Sequence, residues 1–198
     1  MLGFVANRCQ PSIRVASGSI RVFNDFVETN PPFVSDQLDG VQETLFAHMA
    51  TPNVGWIASE RRLFITNDGG LNWTIAPRFP NFTIRRTIQA FSDTSRILID
   101  NDYIARKTID GGANWRSIES LGKICDLDFH NQDIGYALSS EGKGLFKTND
   151  QGNSWTKAAN IIYQTQGNQR PSCNVEVGNG ENVFIEVDQQ LIRISPRN

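Results

Sequence analysis

Apolar residues in this chain come in runs of four or five bounded by turn residues, a length that suits strands and is too short for most helices. Ile20-Arg21-Val22-Phe23 alternates after the turn Ser17-Gly18-Ser19, and the same strand-like texture returns at 124–129, 134–138, 144–148 and 154–158. Those last four fall within about 40 residues. Met49-Ala50-Thr51-Pro52-Asn53-Val54-Gly55-Trp56 lies over Phe129-His130-Asn131-Gln132-Asp133-Ile134-Gly135-Tyr136, and Phe91 to Asp100 keeps the spacing with Arg96 near the place of the glycine–aromatic pair. A further unit reads Cys173–Val177, Val183–Val187 and Leu191–Ser195. The expectation is an all-β chain built from four-stranded antiparallel units.

The units are marked by one stretch written three times. Thr66, Asp68, Gly70 and Trp73 recur as Thr108, Asp110, Gly112 and Trp115, and again as Thr148, Asp150, Gly152 and Trp155, always Thr-x-Asp-x-Gly-x-x-Trp. The aspartates stand 42 and 40 residues apart (68 to 110, 110 to 150), a period that belongs to propeller blades. Residues 1–198 therefore read as one domain, a small β-propeller of about four four-stranded blades, with repeats over about 44–83, 84–122, 123–160 and 173–195. The fourth repeat has three strands and no turn motif before Asn198, so strand 19–23 is expected to close or flank the ring by pairing beside Leu191–Ile194. The competing arrangement is an open arc completed by oligomerisation. Residues 26–41, with Pro31-Pro32 and Asp39-Gly40, read as a connector.

Comparing the three copies assigns roles. After the aspartate stand Gly69, Gly111 and Gln151, whereas the next place is glycine each time. The second glycine alone is therefore expected to need positive φ. The carboxylate is expected to hold backbone N–H groups of the turn, and the tryptophans to anchor packing. The motif residues are thus structural. The three stretches resemble the Asp-box, or bacterial neuraminidase repeat. With Asp133–Ala137 and Gly144–Thr148 the wording is most similar to repeats of the photosystem II assembly-factor type. Related boxes occur in sialidases, sortilin-type receptors and xyloglucan-degrading propellers. The resemblance implies a propeller whose boxes lie away from the binding face. Such proteins have six or more blades, so it lends little to a photosynthetic role.

Composition narrows function without naming it. The 198 residues carry a net charge of −2, which gives no footprint for nucleic acid or an anionic membrane. No run approaches a membrane-spanning length. Cys9, Cys125 and Cys173, an odd count without paired spacing, argue against a disulfide framework or a zinc site and favour a reducing compartment. The N-terminus shows no secretory signal, so the expected location is the cytoplasm or a virion. His48 and His130 match no metal spacing. Asp126 and Asp128 share a strand face, with exposure or a hydrogen bond between blades as the expected fate. Neither a metal, a cofactor nor a catalytic set is expected. The loops away from the boxes carry Arg61, Arg62, Arg85, Arg86, Tyr103, Lys143, Tyr163 and Arg170, a mixed surface suited to protein contact. The expected function is a non-catalytic structural or docking subunit of a larger assembly, such as a phage or virion tail or capsid component, with protein partners and a possible homo-oligomer. The alternatives are an assembly-factor-like chaperone and a glycan-binding module or reduced glycosidase.

Overall fold

A computed structural model describes residues 12–16, 19–24, 27–28, 46–58, 62–76, 82–161, 173–179, 182–187 and 190–195, with backbone alone for 12–28, 46–47 and 85–88. Eighteen strands occur among them, together with one 3-10 turn at Glu119–Leu121, and no α-helix. Among the described strands, pairing joins neighbours in sequence and is antiparallel, so each sheet is a meander of local hairpins.

The first sheet holds β1 (Ser12–Ala16), β2 (Ser19–Asn24) and β3 (Val27–Glu28) in the order β1-β2-β3. Sheet two holds β4 (Phe46–Met49), β5 (Gly55–Ala58), β6 (Leu63–Thr66) and β7 (Thr74–Ile75). Sheet three holds β8 (Ile84–Ala90), β9 (Arg96–Asp100), β10 (Ala105–Thr108) and β11 (Arg116–Ser117). Sheet four holds β12 (Ile124–Phe129), β13 (Gly135–Ser139), β14 (Leu145–Thr148) and β15 (Thr156–Ala159), and sheet five holds β16 (Cys173–Val177), β17 (Val183–Val187) and β18 (Gln190–Ile194). Three four-stranded sheets and a three-stranded one thus follow the four repeats, and the fold is a small all-β propeller.

The first sheet departs from expectation. Strand 19–23, expected to pair beside Leu191–Ile194, is β2, and it bonds to β1 and β3 in a sheet of its own. Val27–Glu28, read as part of a connector, is its third strand, with Asn24 opposite Val27.

Burial explains the strand sequences. β5, β9 and β13 are buried at every position, and a strand covered on both faces reads as a continuous apolar run. Sheet five instead alternates: Cys173, Val175 and Val177 are buried while Asn174 and Glu176 are exposed, and β17 repeats the pattern with Val183, Ile185 and Val187 inside and Glu186 outside. One of its faces therefore meets water.

The chain gathers into two compact units. The first comprises Met1–Ile84, Ala90–Arg96 and Thr108–Trp115, and the second Arg85–Gln89, Ile97–Lys107 and Arg116–Asn198. Within the first, Trp56, Leu63, Phe64 and Trp73 are core residues. Within the second, Tyr136, Leu138, Leu145, Val175 and Ile185 form one apolar cluster. The second unit also contains a disulfide between Cys125 and Cys173, with Cα atoms 6.2 Å apart. That corrects the expectation drawn from cysteine number: β12 and β16 lie side by side, which no spacing along the chain reveals. Cys9 lies outside the described residues.

Candidate functional site

The three repeated turns are built alike. Thr66 Oγ1 donates to Asp68 Oδ1 at 2.8 Å and accepts the Gly70 N–H at 2.8 Å. Thr108 and Thr148 do the same toward Asp110 and Gly112, and toward Asp150 and Gly152. Each indole N–H donates to the carbonyl of the second glycine, at 3.1, 3.1 and 3.2 Å. The remaining lone pairs of each aspartate are taken up four residues further on. Asn72, Asn114 and Ser154 each give their carboxylate a backbone N–H and a side-chain donor. Those three residues were missed in sequence, although a short polar residue before every tryptophan was the signal.

Glycine use in these turns differs from expectation. The second glycines have φ of +89°, +94° and +73°, but the preceding position is also left-handed, at +73° for Gly69 and Gly111 and +59° for Gln151. Both places demand positive φ, and only in the third turn does lack of room add to that demand: a Cβ on Gly112 would meet nothing nearer than 3.6 Å, while one on Gly69 would lie 3.2 Å from Pro52 O. A Cβ on Gly111 would touch nothing within 4 Å, whereas one on Gly152 would lie 2.3 Å from Ile97 Cδ1. Gln151 offsets its backbone cost through its own N–H and side-chain amide to Asp133 and through Lys107 Nζ, which donates to its carbonyl at 2.7 Å.

Hydrogen bonds set the chemistry of these carboxylates. At Asp110 the Asn114 backbone N–H, then the Asn114 amide and Thr108 hydroxyl, hold the pKa to about 2. At Asp150 burial raises it, but the Ser154 hydroxyl and N–H and the Thr148 hydroxyl outweigh that and bring it to about 2. At Asp68 burial is likewise outweighed, by Asn72 and Thr66, and the pKa falls. Groups held ionised and saturated in this way serve as turn staples and are poor general acids.

Of the residues expected to form an interaction face, Arg62, Tyr103 and Lys143 have described side chains. Tyr103 is 4% exposed, in the core with φ +67°, because the loop is pulled inward by Asp100. That buried carboxylate accepts the N–H groups of Asp102 and Ile104 and pairs with Arg106. Lys143 is exposed and pairs with Glu141. Arg62 is exposed. Arg61, Tyr163 and Arg170 lie outside the described residues, as do the side chains of Arg85 and Arg86 on β8. Within the second unit three loops are tied together: Ile124 N donates to Tyr103 O, Ser140 N to Lys123 O, and Lys143 stands beside Gly122. Their exposed side chains, Asp102, Lys123, Glu141 and Lys143, form a surface of mixed charge.

Two buried features lie outside the repeated turns. Arg96 is fully buried, stacked on the Trp56 ring, and none of its three guanidinium nitrogens has a hydrogen-bond partner among the described residues. Burial lowers its pKa, opposed by Asp110 and Asp93. Side chains also reach between strands of neighbouring sheets: Asp126 accepts Val175 N at 2.9 Å, Asp128 accepts Val177 N at 2.7 Å, and His48 Nδ1 accepts Ala90 N at 3.2 Å. Among the described residues no group of three or more His, Cys, Asp or Glu is placed to hold a metal.

Taken together, the sheets and turns define a small β-propeller with satisfied repeat turns. No protein-family model matches the chain and no curated protein matches it. Among solved structures it is similar to YCF48 bound to D1 peptide, with a TM-score of 0.54 at 20% identity over 95% of this chain and 64% of that one. It is similar also to YCF48 from Cyanidioschyzon merolae, with a TM-score of 0.57 at 15% identity over 80% of this chain and 55% of the other. A GH74 enzyme of Niastella koreensis matches with a TM-score of 0.56 at 18% identity over 89% of this chain and 27% of the enzyme. The chain thus spans less than two thirds of each of these structures, and at such identities the likeness carries the fold.

Proposed function

We propose that the chain is a non-catalytic docking subunit that holds a segment of a protein partner within a larger assembly, in an assembly-factor-like role. The observation that carries this reading is the likeness to a YCF48 with a peptide bound. The turn carboxylates support it, since the residues that look most like chemistry in the sequence are consumed by their own turns. The narrower reading as a virion component has no finding in its favour. Panning the immobilised chain against a displayed peptide library, with the selected peptides titrated by calorimetry, tests the proposal. Discrete peptides binding with one-to-one stoichiometry are the expected result. A library that enriches nothing above a scrambled control removes the reading.

The GH74 likeness favours one second reading, a glycan-binding module or reduced glycosidase. Xyloglucan oligosaccharides and a fluorogenic glycoside panel separate the two. Saturable binding or turnover lost on a single carboxylate change supports the glycan reading, and flat responses remove it.

A further inference from the structure

The third strand of each complete sheet shows what β18 lacks. In sheet two Leu63 O accepts the Ala76 N–H at 2.8 Å, and in sheet three Ala105 O accepts the Ile118 N–H at 2.9 Å, both across the edge taken by the fourth strand. The registers Val183↔Ile194 and Gly55↔Thr66 place Leu191 where Leu63 stands and Arg193 where Ile65 stands. Leu63, at the place of Leu191, turns its carbonyl toward the fourth strand and away from β5, which sets which positions of the β18 ladder face outward. Alternation along the ladder then turns the backbone groups of Leu191 and Arg193 away from β17. Among the described residues β18 pairs with β17 alone. Leu191 is 73% exposed, whereas Leu63 and Leu145 at the same place are buried.

Natural edges are usually blunted by shortness or charge. β7 and β11 have two residues each, and β15 carries Lys157. β18 has five residues, three of them apolar and one an arginine, and is longer than β7, β11 and β15.

We infer that β18 accepts an extended segment of a protein partner as an added antiparallel strand, with a Trp-Thr pair entering opposite Arg193. The chemistry of the segment comes from the chain's own fourth strands. Thr74 stands opposite Ile65 and Thr156 opposite Lys147, and each threonine hydroxyl reaches the carbonyl it faces, Ile65 O or Lys147 O, at 3.4 Å. A tryptophan precedes both threonines. A folded second copy does not offer such a segment, because β7 and β15 are already paired in their own sheets; the inference commits to a separate protein, and a strand supplied by another part of this chain is the outcome that protected Leu191 and Arg193 amides in the free protein report. Backbone pairing supplies the attraction, and the residues facing Arg193 and Leu191 supply selectivity. The inference rests on the protein-partner reading and names a surface for it.

The test is titration of the ¹⁵N-labelled chain with the end-blocked peptide Ser-Trp-Thr-Lys-Ala-Ala-Asn, the sequence of residues 154–160, followed by amide exchange. Shifts and protection confined to Gln190–Ile194 are expected. Arg193→Pro, which removes an outward N–H without touching the β17 ladder, weakens binding roughly tenfold, the value of about one hydrogen bond. A peptide N-methylated at the residue facing Arg193 gives the same loss with the protein unchanged, which keeps the test sound if that variant folds poorly. Leu191 and Arg193 amides already protected in the free protein overturn the inference, as does protection that grows with protein concentration. Shifts confined to Asp102–Tyr103 and Glu141–Lys143 also overturn it, while leaving the protein-partner reading intact. A silent titration overturns it whatever the peptide library selects.

Discussion

Gly152 and Gly111 meet the same backbone demand with different neighbours, and that difference predicts unequal costs. Gly152→Ala adds the left-handed penalty to a collision with Ile97, about 2–4 kcal/mol together. Gly111→Gln places in the second turn what Gln151 already is in the third, in open space, for about 1 kcal/mol or less. Urea unfolding of both variants checks this, and equal losses would contradict it. The sequence comparison located the indispensable glycine and misjudged its companion, because Gln151 reports tolerance of a left-handed backbone rather than its absence. Arg96 makes a second residue-scale case. It begins β9 where Gly55 and Gly135 begin β5 and β13, and the strands before them end in Met49 and Phe129, whose side chains occupy the space over those glycines, but in the small Ala90 before Arg96. Two sheets thus reach the same end without a buried cation. Replacing an unpaired buried charge by an apolar residue of similar length is often neutral or stabilising by about 1–4 kcal/mol. Arg96→Met is expected to raise the thermal midpoint. A clear fall would show that the stacking on Trp56 outweighs the desolvation of the guanidinium.

Strands of neighbouring sheets are joined by side chains that stand in for backbone acceptors. His48 is the penultimate residue of β4 and holds the N–H of Ala90, the last of β8; Asp128 is the penultimate residue of β12 and holds the N–H of Val177, the last of β16. One device thus recurs in each compact unit with different chemistry. Because Nδ1 of His48 accepts, the ring is neutral with its proton on Nε2, and burial brings its pKa to about 4 from the ordinary 6.5. The unfolded chain binds a proton that the folded one refuses, so stability falls as pH drops from about 6.5 toward 4, by about 3 kcal/mol at most. Asp128 has the opposite sign: burial raises its pKa against the N–H groups of Val177 and Phe129, so its share is present below the ordinary carboxylate pKa and lost as pH rises through the raised one. The difference between His48→Gln and the parent isolates the histidine. Its pH slope between 6.5 and 4 is expected to flatten, and identical profiles would dismiss the device. Sequence alone admitted Asp126 and Asp128 as bonds between blades but said of His48 only that it matches no metal spacing. The equivalence becomes visible only once strand ends are fixed by the register.

Repeats were legible at the scale of the chain because a box with an obligatory glycine and tryptophan marks each complete unit, and the alternation of Cys173–Val177 and Val183–Val187 already signals one wet face. The first sheet was not legible, since Val27–Glu28 is too short to carry a period. The disulfide was not legible either, because Cys125 and Cys173 are 48 residues apart and meet only when β16 lies beside β12. That bond lies entirely within the second unit, next to the Asp126 and Asp128 bonds to β16. Closing a loop of this span restricts the unfolded chain by about 4 kcal/mol in the chain-entropy account. Reduction is therefore expected to destabilise the second unit selectively. Hydrogen exchange should quicken at Ile124–Phe129 and Cys173–Val177, while Gly55–Ala58 and Leu63–Thr66 in the first unit keep their rates. Alkylation of the native, unreduced chain should leave Cys125 and Cys173 unmodified. Labelling of both thiols without reductant would remove the cross-link from the account, and acceleration spread evenly over both units would show that β12 and β16 are not the region it secures.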